Sequence, residues 1–201
     1  MPTPIDFYFD FSSPYGYIAS TQIDALGAKH GRAVTWRPFL LGAVFKVSEA
    51  RPLTQLPPIK SNYFVHDFPR SARMFGISYK MPAAFPFLAV QASRAYYWLA
   101  DRDAAKATAF AKAVYQAAFG EGRDVAPAEA VADVGAGLGI DRAAMLAAVN
   151  DAAVKDRLRV EVDEAIKRGV FGSPFIFVDG EGFWGADRLP HVERWLATGG
   201  W

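Results

Sequence analysis

The junction between the first predicted strand and the helix after it carries a hydroxyl group that could take part in catalysis or binding. This junction reads Phe9-Asp10-Phe11-Ser12-Ser13-Pro14, and proline is favoured at a first helical position. The start of a helix leaves backbone N–H groups unpaired and stabilises anions, thiolates included. A Ser13 hydroxyl placed there would add one hydrogen bond to such an anion, worth roughly 1.5–3 kcal/mol. The alternative interpretation is that Ser13 only caps the helix.

A loop near the end of the chain is the second candidate. It reads Gly169-Val170-Phe171-Gly172-Ser173-Pro174 and leads into a predicted strand. A cis bond before Pro174 is admissible though uncommon. If Pro174 faces the helix start near Ser13, Ser173 would present its backbone N–H and C=O to an extended, peptide-like ligand, as a strand edge does. The alternative is an ordinary trans-proline that opens a strand.

Other chemistries are disfavoured by what the sequence lacks. There is no cysteine, which excludes disulfides, thiolate metal ligands and redox chemistry on a thiol of the protein itself. His30, His66 and His191 are far apart and lack the spacing of metal ligands, so no metal site is predicted. No G-x-S-x-G surrounds Ser13, which argues against a serine hydrolase. The glycine-rich stretch at 135–139 does not follow a predicted strand, and it is interpreted as a helix end rather than a nucleotide loop.

Composition limits the partners. The 201 residues are 52% hydrophobic with a net charge of +1, which argues against disorder and against nucleic acid as a ligand. Apolar runs are interrupted well before the ~20 residues that a membrane span needs. The first residues do not resemble a secretory signal, so a cytoplasmic location is expected.

The elements that must position Ser13 begin with a period-two strand. Ile5, Phe7, Phe9 and Phe11 alternate with polar residues. A helix is predicted to run from the Ser13–Pro14 junction to about His30, with Gly31 as its C-terminal cap. A second strand is predicted over 33–39, which makes a parallel β-α-β pair. Residues 40–60 contain several Pro and Gly breaks and are predicted to form an irregular connector.

The rest of the chain is predicted to be helical and then β-rich. Helical periodicity dominates from Ser61 to Gly169, with a break or helix start expected at Pro69. Phe175–Val178 and Phe183-Trp184 then indicate a hairpin, followed by a helix over 188–197. Three helices are predicted from apolar residues at helical spacing, which should face the protein core. These residues are Leu88, Ala92, Ala95 and Leu99 in the first, Phe110, Val114 and Ala117 in the second, and Val154, Leu158, Val162 and Ile166 in the third.

This order of elements predicts an α/β fold, namely a thioredoxin-like domain with an inserted all-helical domain. The thioredoxin-like part comprises residues 1–60 and 170–201, and the inserted helical domain comprises 61–169. In such a fold, Pro174 would face the helix start near Ser13.

Four motifs, in order along the chain, resemble one family. The segment Phe9-Asp10-Phe11-Ser12-Ser13-Pro14-Tyr15 is similar to the catalytic N-terminus of kappa-class glutathione transferases and 2-hydroxychromene-2-carboxylate isomerases. The other three motifs are Trp36-Arg37-Pro38 with Leu40-Leu41-Gly42, Gly169-Val170-Phe171-Gly172-Ser173-Pro174, and Trp184-Gly185-Ala186-Asp187-Arg188. The resemblance covers nearly the whole chain. It implies a thioredoxin fold related to bacterial disulfide oxidoreductases, whose C-x-x-C is matched here by Ser13-Pro14-Tyr15-Gly16.

The resemblance also implies that glutathione brings the missing sulfur. Ser13 would hydrogen-bond the thiolate, Ser173 would contact the tripeptide backbone, and Pro174 would belong to the same loop. Asp187, beside Ala186, would match the position that takes the γ-glutamyl amino group. Lys60 falls near the lysine that meets a glutathione carboxylate. Taken singly, Asp187 can also be interpreted as a helix cap and Lys60 as a solvated surface residue.

One departure from the family pattern lies in the loop before that lysine. Many members carry an asparagine there, whereas this chain reads Ser48-Glu49-Ala50-Arg51-Pro52. Arg51 is a candidate to supply the polar contact instead.

The activity implied by the resemblance is glutathione-dependent isomerisation of 2-hydroxychromene-2-carboxylate and trans-o-hydroxybenzylidenepyruvate in aromatic hydrocarbon catabolism. The partner would be a small aromatic α-keto acid, seated against an aromatic wall for which Tyr15, Phe39 and Tyr63 are candidates. Each of the three can equally be interpreted as an ordinary core residue. The alternatives are a kappa-like transferase or peroxidase, and a catalytically silent thioredoxin-like binding module. A homodimer is expected only by analogy with the family.

Overall fold

A four-stranded mixed sheet forms the α/β part of the computed structural model, which describes residues 2–201. The strands lie in the order β2-β1-β3-β4; β1 pairs parallel with β2, and β3 pairs antiparallel with both β1 and β4. The first two strands belong to the predicted β-α-β unit and the last two to the predicted hairpin. Their bounds are β1 Ile5–Phe9, β2 Val34–Pro38, β3 Phe175–Val178 and β4 Glu181–Trp184.

Helices account for most of the remaining chain. Those that precede position 75 are α1 Pro14–Ser20, α2 Ile23–Lys29, α3 Leu41–Ser48 and α4 Pro58–Met74. Those that follow are α5 Val90–Ala100, α6 Ala104–Tyr115, α7 Ala128–Ala136, α8 Arg142–Ala148, α9 Ala152–Lys167 and α10 Leu189–Thr198. A π-helical turn, Gln116–Gly120, continues α6, and short 3-10 turns occupy Leu53–Gln55 and Ala186–Arg188. Within residues 2–201 no helix has the length and hydrophobicity needed to cross a membrane.

An aromatic core joins the sheet to the helical block. Phe7 and Phe9 are fully buried, and both pack edge-on against Trp36 of the neighbouring strand, with ring centroids 5.0 and 5.3 Å away. From α5, the hydroxyl of Tyr96 donates to the carbonyl of Trp36 over 2.8 Å, and that of Tyr97 donates to Pro38 over 2.7 Å. Buried tyrosine hydroxyls need such partners, so these bonds fix α5 against β2.

The helix predicted from Pro14 to about His30 is two helices. Helix α1 ends at Ser20, and α2 begins at Ile23. At the break, the Ser20 hydroxyl donates to the carbonyl of Tyr17 over 2.6 Å, and the Thr21 hydroxyl donates to Ile18 over 2.8 Å. Side-chain hydroxyls that bond to backbone carbonyls compete with the helical ladder, which apolar periodicity alone does not reveal.

The connector predicted to be irregular over 40–60 is largely helical. It contains α3 and the first turn of α4, which begins with Pro58 at its N-terminal end. Prolines at 52, 57 and 58 suggested breaks throughout, but a proline in the first helical turn removes no hydrogen bond. Lys60 therefore lies in the first turn of α4.

Pro69 does not break α4, which runs unbroken to Met74. Proline removes the N–H that would bond the carbonyl four residues earlier, and that residue, Val65, is 55% exposed. Water can therefore satisfy the carbonyl. Leu88, predicted to face a helical core, is 76% exposed and precedes α5, whereas the other predicted core positions Ala92, Ala95 and Leu99 are buried.

Candidate active site

The Ser13 hydroxyl lies at the centre of the candidate site. Ser13 caps α1, and its Oγ accepts the backbone N–H of Gly16 over 3.0 Å. The same hydroxyl donates its proton to the carbonyl oxygen of Ser173 over 2.9 Å. The residue is 5% exposed. Both the capping role and the juxtaposition with the Ser173 loop that the sequence predicted are therefore present together.

The Ser173–Pro174 loop is held in place from two sides. The peptide bond between the two residues is cis. On one side, the Ser173 hydroxyl oxygen accepts the backbone N–H of Asp10 over 2.9 Å. On the other side, the carbonyl of Pro174 accepts the backbone N–H of Gly185 over 3.0 Å. The loop is thus tied to the end of β1 and to the turn that leads into the last helix.

Asp10 is a buried acid that sequence reasoning treated only as a polar strand residue. Its side chain is almost completely buried, and its carboxylate accepts the N–H and hydroxyl of Ser12 and the N–H of Leu41, all within 2.8 Å. Burial raises the pKa of Asp10 above its ordinary value, while the bonds from Ser12 and Leu41 act in the opposite direction. An aspartate just before a Ser-Ser pair at a strand end is a turn signal that could have identified it.

Gly16 and Tyr115 form a contact that the sequence does not reveal. Tyr115 is fully buried, and its hydroxyl donates to the carbonyl of Asp10 over 2.8 Å. A Cβ on Gly16 would collide with that hydroxyl and would lie 3.0 Å from the Ser173 Oγ. Burial raises the pKa of Tyr115 well above its ordinary value, so the phenol remains a neutral donor. Helix α6 thereby reaches the site from the helical block.

The Ala186–Asp187 turn adjoins the proline loop through Gly185. Ala186 is 5% exposed and starts the 3-10 turn that runs into α10, and this turn packs against α1. The Asp187 side chain is 74% exposed, and Arg188 lies 3.5 Å from its carboxylate. Asp187 therefore offers a solvated carboxylate at this end of the site.

Lys60 is exposed in the first turn of α4, a helix that packs against α1. The packing is aromatic: Tyr15 of α1 lies edge-on to Phe68, with ring centroids 5.0 Å apart. Among the residues that the structure describes, no hydrogen bond or salt bridge joins Lys60 to Ser13 or Ser173. The structure brings Ser13, Ser173 and Pro174 together, with Ala186 and Asp187 on the adjoining turn, and places Lys60 on the neighbouring helix.

The three candidates for an aromatic wall differ in their surroundings. Phe39 is fully buried and packs against Tyr8, so it belongs to the core and the prediction of a wall role for it is wrong. Tyr63 is 54% exposed and lies edge-on to Phe64, which in turn contacts Tyr15. Tyr15 and Tyr63 therefore present aromatic surface beside the start of α1.

A polar chain supports this aromatic surface. The Tyr15 hydroxyl donates to the Asp67 carboxylate over 2.5 Å, and Arg70 pairs with the same carboxylate while also donating to the Tyr63 hydroxyl. Burial alone would raise the pKa of Asp67, but the bonds from Tyr15 and Arg70 prevail and hold it below its ordinary value. Burial and the bond to Asp67 raise the pKa of Tyr15 far above its usual range. Tyr15 is thus a neutral, oriented phenol.

Comparison with known proteins identifies the class to which this fold belongs. Residues 4–197 match the family model described as the DSBA-like thioredoxin domain. The chain therefore belongs to the DSBA-like thioredoxin family, and the predicted fold class is confirmed.

Particular relatives lie within the group that the sequence motifs suggested. A 2-hydroxychromene-2-carboxylate isomerase of Sphingobium xenophagum is 30% identical, over 98% of this chain and 99% of the relative. Glutathione S-transferase kappa 2 of Caenorhabditis elegans is 29% identical, over 96% of this chain and 91% of that protein. A solved structure of a selenomethionine-labelled 2-hydroxychromene-2-carboxylate isomerase superposes with a TM-score of 0.88 at 29% identity, covering 97% of this chain and 95% of the other. The predicted resemblance to these two groups is confirmed.

Proposed function

We propose that this protein is a glutathione-dependent isomerase that interconverts 2-hydroxychromene-2-carboxylate and trans-o-hydroxybenzylidenepyruvate. The observation that carries the proposal is the Ser13 hydroxyl, held against the Ser173–Pro174 loop. The resemblance to disulfide oxidoreductases matches this position to the start of their C-x-x-C. The chain contains no cysteine, so a thiol must come from a second molecule. Two relatives named 2-hydroxychromene-2-carboxylate isomerase support this reaction; each is about 30% identical and aligns over nearly its whole length.

The residues at the site fit a tripeptide thiol. The Ser13 hydroxyl donates its hydrogen bond to a backbone carbonyl rather than to a charged group, so a stronger acceptor such as a thiolate can replace that carbonyl as its partner. The Ser173 carbonyl released in that exchange is an acceptor for a peptide N–H. Asp187 supplies an exposed carboxylate for an ammonium group, and Lys60 supplies an exposed ammonium group for a carboxylate. Glutathione carries all four complementary groups.

Glutathione, when bound, supplies a thiolate nucleophile that makes reversible addition to a conjugated double bond possible. The part of Ser13 is to hold that sulfur as an anion by donating one charge-assisted hydrogen bond, worth roughly 1.5–3 kcal/mol. Stabilising the charged form by about 1.4 kcal/mol lowers a thiol pKa by about one pH unit. Because Ser13 is 5% exposed, water competes little for this bond.

The remaining predicted site residues position the ligand. Ser173 would offer its carbonyl and N–H to the ligand backbone, and Pro174 and Ala186 would hold the neighbouring loop and turn in place beneath the ligand. Asp187 and Lys60 recognise the two charged ends. We include Arg51 as an exposed cation in the loop that lacks the family's asparagine.

The substrate would be a small aromatic α-keto acid that lies against Tyr15 and Tyr63. Tyr15 is oriented by Asp67, which favours a fixed ring surface beside Ser13. An offset or edge-to-face aromatic contact contributes about 0.5–1.5 kcal/mol beyond the area that it buries.

The test is conversion of 2-hydroxychromene-2-carboxylate, followed by its ultraviolet spectrum, with and without glutathione. We expect turnover to depend on saturable glutathione, to leave the concentration of free thiol unchanged, and to fall about a hundredfold in Ser13→Ala. The matched control is Asp141→Ala, which removes a helix cap of the same kind from α8 without touching the site. Turnover without glutathione, or equal turnover in Ser13→Ala, would contradict the proposal.

A kappa-like glutathione transferase or peroxidase is the second candidate, favoured by the similarity to glutathione S-transferase kappa 2. It uses the same residues but consumes glutathione. A net loss of free thiol with electrophiles or peroxides, in the absence of isomerisation, would establish it. Absence of both activities and of glutathione binding would leave a silent binding module.

We further propose a cytoplasmic location, because that compartment keeps glutathione reduced. A homodimer is proposed by analogy with the family. Sedimentation of the purified protein tests it.

A further inference from the structure

Every hydrogen-bonding group of Asp10 is committed to a different part of the candidate site. Its backbone N–H donates to the Ser173 hydroxyl over 2.9 Å. Its backbone carbonyl accepts the N–H of Ser13 over 2.9 Å and the hydroxyl of Tyr115 over 2.8 Å. Since Ser13 in turn donates to the Ser173 carbonyl, Asp10, Ser13 and Ser173 form a closed ring of hydrogen bonds. Asp10 therefore lies between the strand end, the serine turn and the proline loop.

The carboxylate of Asp10 extends this ring to the connector. One oxygen accepts both the N–H and the hydroxyl of Ser12, each over 2.8 Å, and the other accepts the N–H of Leu41 over 2.7 Å. Leu41 begins α3, the helix that leads toward Lys60. Three donors converge on the two oxygens, and within residues 2–201 no salt bridge is made to them. A carboxylate satisfies all three donors, whereas an amide would direct an N–H group at one of them.

We propose that Asp10 is the positioning residue that aims the Ser13 hydroxyl at the sulfur of the bound thiol. The inference rests on the proposed function. Asp10 does not reach the ligand itself; it fixes the Ser12–Ser13 turn from one side and Ser173 from the other. Burial of Asp10 raises its pKa, and the hydrogen bonds from Ser12 and Leu41 oppose that shift, so these three bonds offset part of the cost of burying the charge.

Positioning and direct electrostatics make opposite predictions for Asp10→Asn. If the carboxylate acted only through its charge, removing that charge would favour the thiolate and lower the pKa of the bound thiol. If it orients Ser13, its loss weakens the Ser13 hydrogen bond, and the pKa of the bound thiol rises. The sign of the change therefore separates the two roles.

The experiment is a pH titration of glutathione bound to the intact protein, read from the ultraviolet absorbance of the thiolate. We expect Asp10→Asn to raise the pKa of the bound thiol by about one pH unit, as weakening a charge-assisted bond requires. Turnover should fall about tenfold to a hundredfold, as small misplacements of catalytic groups do. Binding of glutathione, measured by calorimetry, should weaken less than threefold, because Lys60 and Asp187 are untouched.

Two variants keep the test decisive. Ser12→Ala removes one donor from the carboxylate but leaves Asp10 in place, so it should shift the pKa in the same direction by a smaller amount. Asp141→Asn alters a capping aspartate of α8 that accepts the Ala144 N–H over 2.7 Å, and it should change neither reading. If Asp10→Asn does not fold, Ser12→Ala alone decides the sign.

Two results would overturn the inference while leaving the proposed function intact. In one, the wild-type protein binds glutathione and lowers its thiol pKa relative to water, as the proposed function requires. The pKa of the bound thiol in Asp10→Asn and in Ser12→Ala is then equal to or below the wild-type value. The other is loss of glutathione affinity and turnover in parallel at an unchanged pKa, which a purely structural role predicts. Failure of the wild-type protein to bind glutathione would overturn the proposed function and the inference together.

Discussion

The Ser13 Oγ lies 2.9 Å from the carbonyl oxygen of Ser173, 160 residues further along the chain. This bond engages the Ser13 hydroxyl proton and the Ser173 carbonyl with each other. A thiolate that accepts the Ser13 hydrogen bond leaves the half-buried Ser173 carbonyl in need of a new donor, and a fully buried acceptor without a donor costs about 1–3 kcal/mol. A ligand that brings both an anionic sulfur and a backbone N–H satisfies both groups. On the proposed function, a peptide thiol should therefore bind more tightly than a simple thiol.

Gly16→Ala should disturb the site because a Cβ there collides with the hydroxyl of Tyr115 and crowds Ser173. We expect a loss of about 1–3 kcal/mol in the free energy of unfolding, as for other overpacked sites, together with weaker glutathione binding. Chemical denaturation and calorimetry measure the two effects.

A matched substitution and a double variant control this prediction. Gly42 lies in α3, where an added Cβ would meet no neighbouring side chain within 4 Å, so Gly42→Ala should leave binding unchanged and raise stability by no more than about 1 kcal/mol. Tyr115→Phe removes the colliding hydroxyl. The loss in free energy of unfolding of the double variant should therefore be about 1 kcal/mol smaller than the sum of the losses in the two single variants. Strict additivity would show that the collision is not the cause.

Asp187→Asn should weaken glutathione binding without affecting the fold. The carboxylate is 74% exposed, so its loss removes a partner for an ammonium group but little packing. We expect Kd to rise about tenfold, which corresponds to about 1.4 kcal/mol. Asp163→Asn, on the exposed face of α9, is the control and should leave Kd unchanged. An unchanged Kd in Asp187→Asn would remove this residue from the site.

Lys60→Ala tests the other end of the ligand. Because Lys60 lies on α4 rather than in the Ser13–Ser173 cluster, we expect a smaller rise of Kd than for Asp187→Asn, of about threefold. The rise should diminish at high salt, where exposed charge pairs are screened. A salt-independent effect would indicate a packing role instead.

Tyr15→Phe should make stability less dependent on pH on the acid side. The Tyr15 hydroxyl helps to hold the pKa of Asp67 below its ordinary value. A depressed pKa contributes stability above the unfolded value of about 4, and that contribution disappears as pH falls through the folded pKa. The free energy of unfolding of the wild-type protein should therefore exceed that of Tyr15→Phe by about 1.5 kcal/mol near pH 7 and by much less near pH 2.

Urea denaturation at the two pH values measures this difference. Tyr63→Phe is the control, because its hydroxyl accepts from Arg70 but makes no bond to Asp67. Its effect should be small and the same at both pH values. If Tyr15→Phe lowers the free energy of unfolding by the same amount at acid pH as at pH 7, the role assigned to Asp67 is contradicted.

The order of elements could be predicted because local periodicity and turn residues encode it. Phe7 and Phe9 alternate as a strand requires, and the hairpin from Phe175 to Trp184 has turn residues at its centre. Proline was the misleading signal, since Pro58 starts a helix and Pro69 lies within one. At Pro58 the missing N–H would have no partner within the helix in any case. At Pro69 the carbonyl that loses its N–H partner faces solvent, so the cost is small.

The supporting residues of the site could not be predicted in the same way. Asp10 and Tyr115 meet only after α6 is packed against the strand end, a contact across 105 residues that no local pattern encodes. Gly16 is informative only once the hydroxyl that approaches it is known. Ser13 and Ser173 were accessible to sequence reasoning because each lies beside a proline at the end or start of a strand.

The most direct test of the central claim is calorimetric titration with glutathione of the wild-type protein and of Ser13→Ala, with the pKa of the bound thiol read from its ultraviolet absorbance. We expect saturable binding to both proteins, and a pKa of the bound thiol that is lowered in the wild-type protein and returns by about one pH unit or more toward the value in water in Ser13→Ala. No binding at millimolar glutathione, or the same thiol pKa in both proteins, would contradict the account.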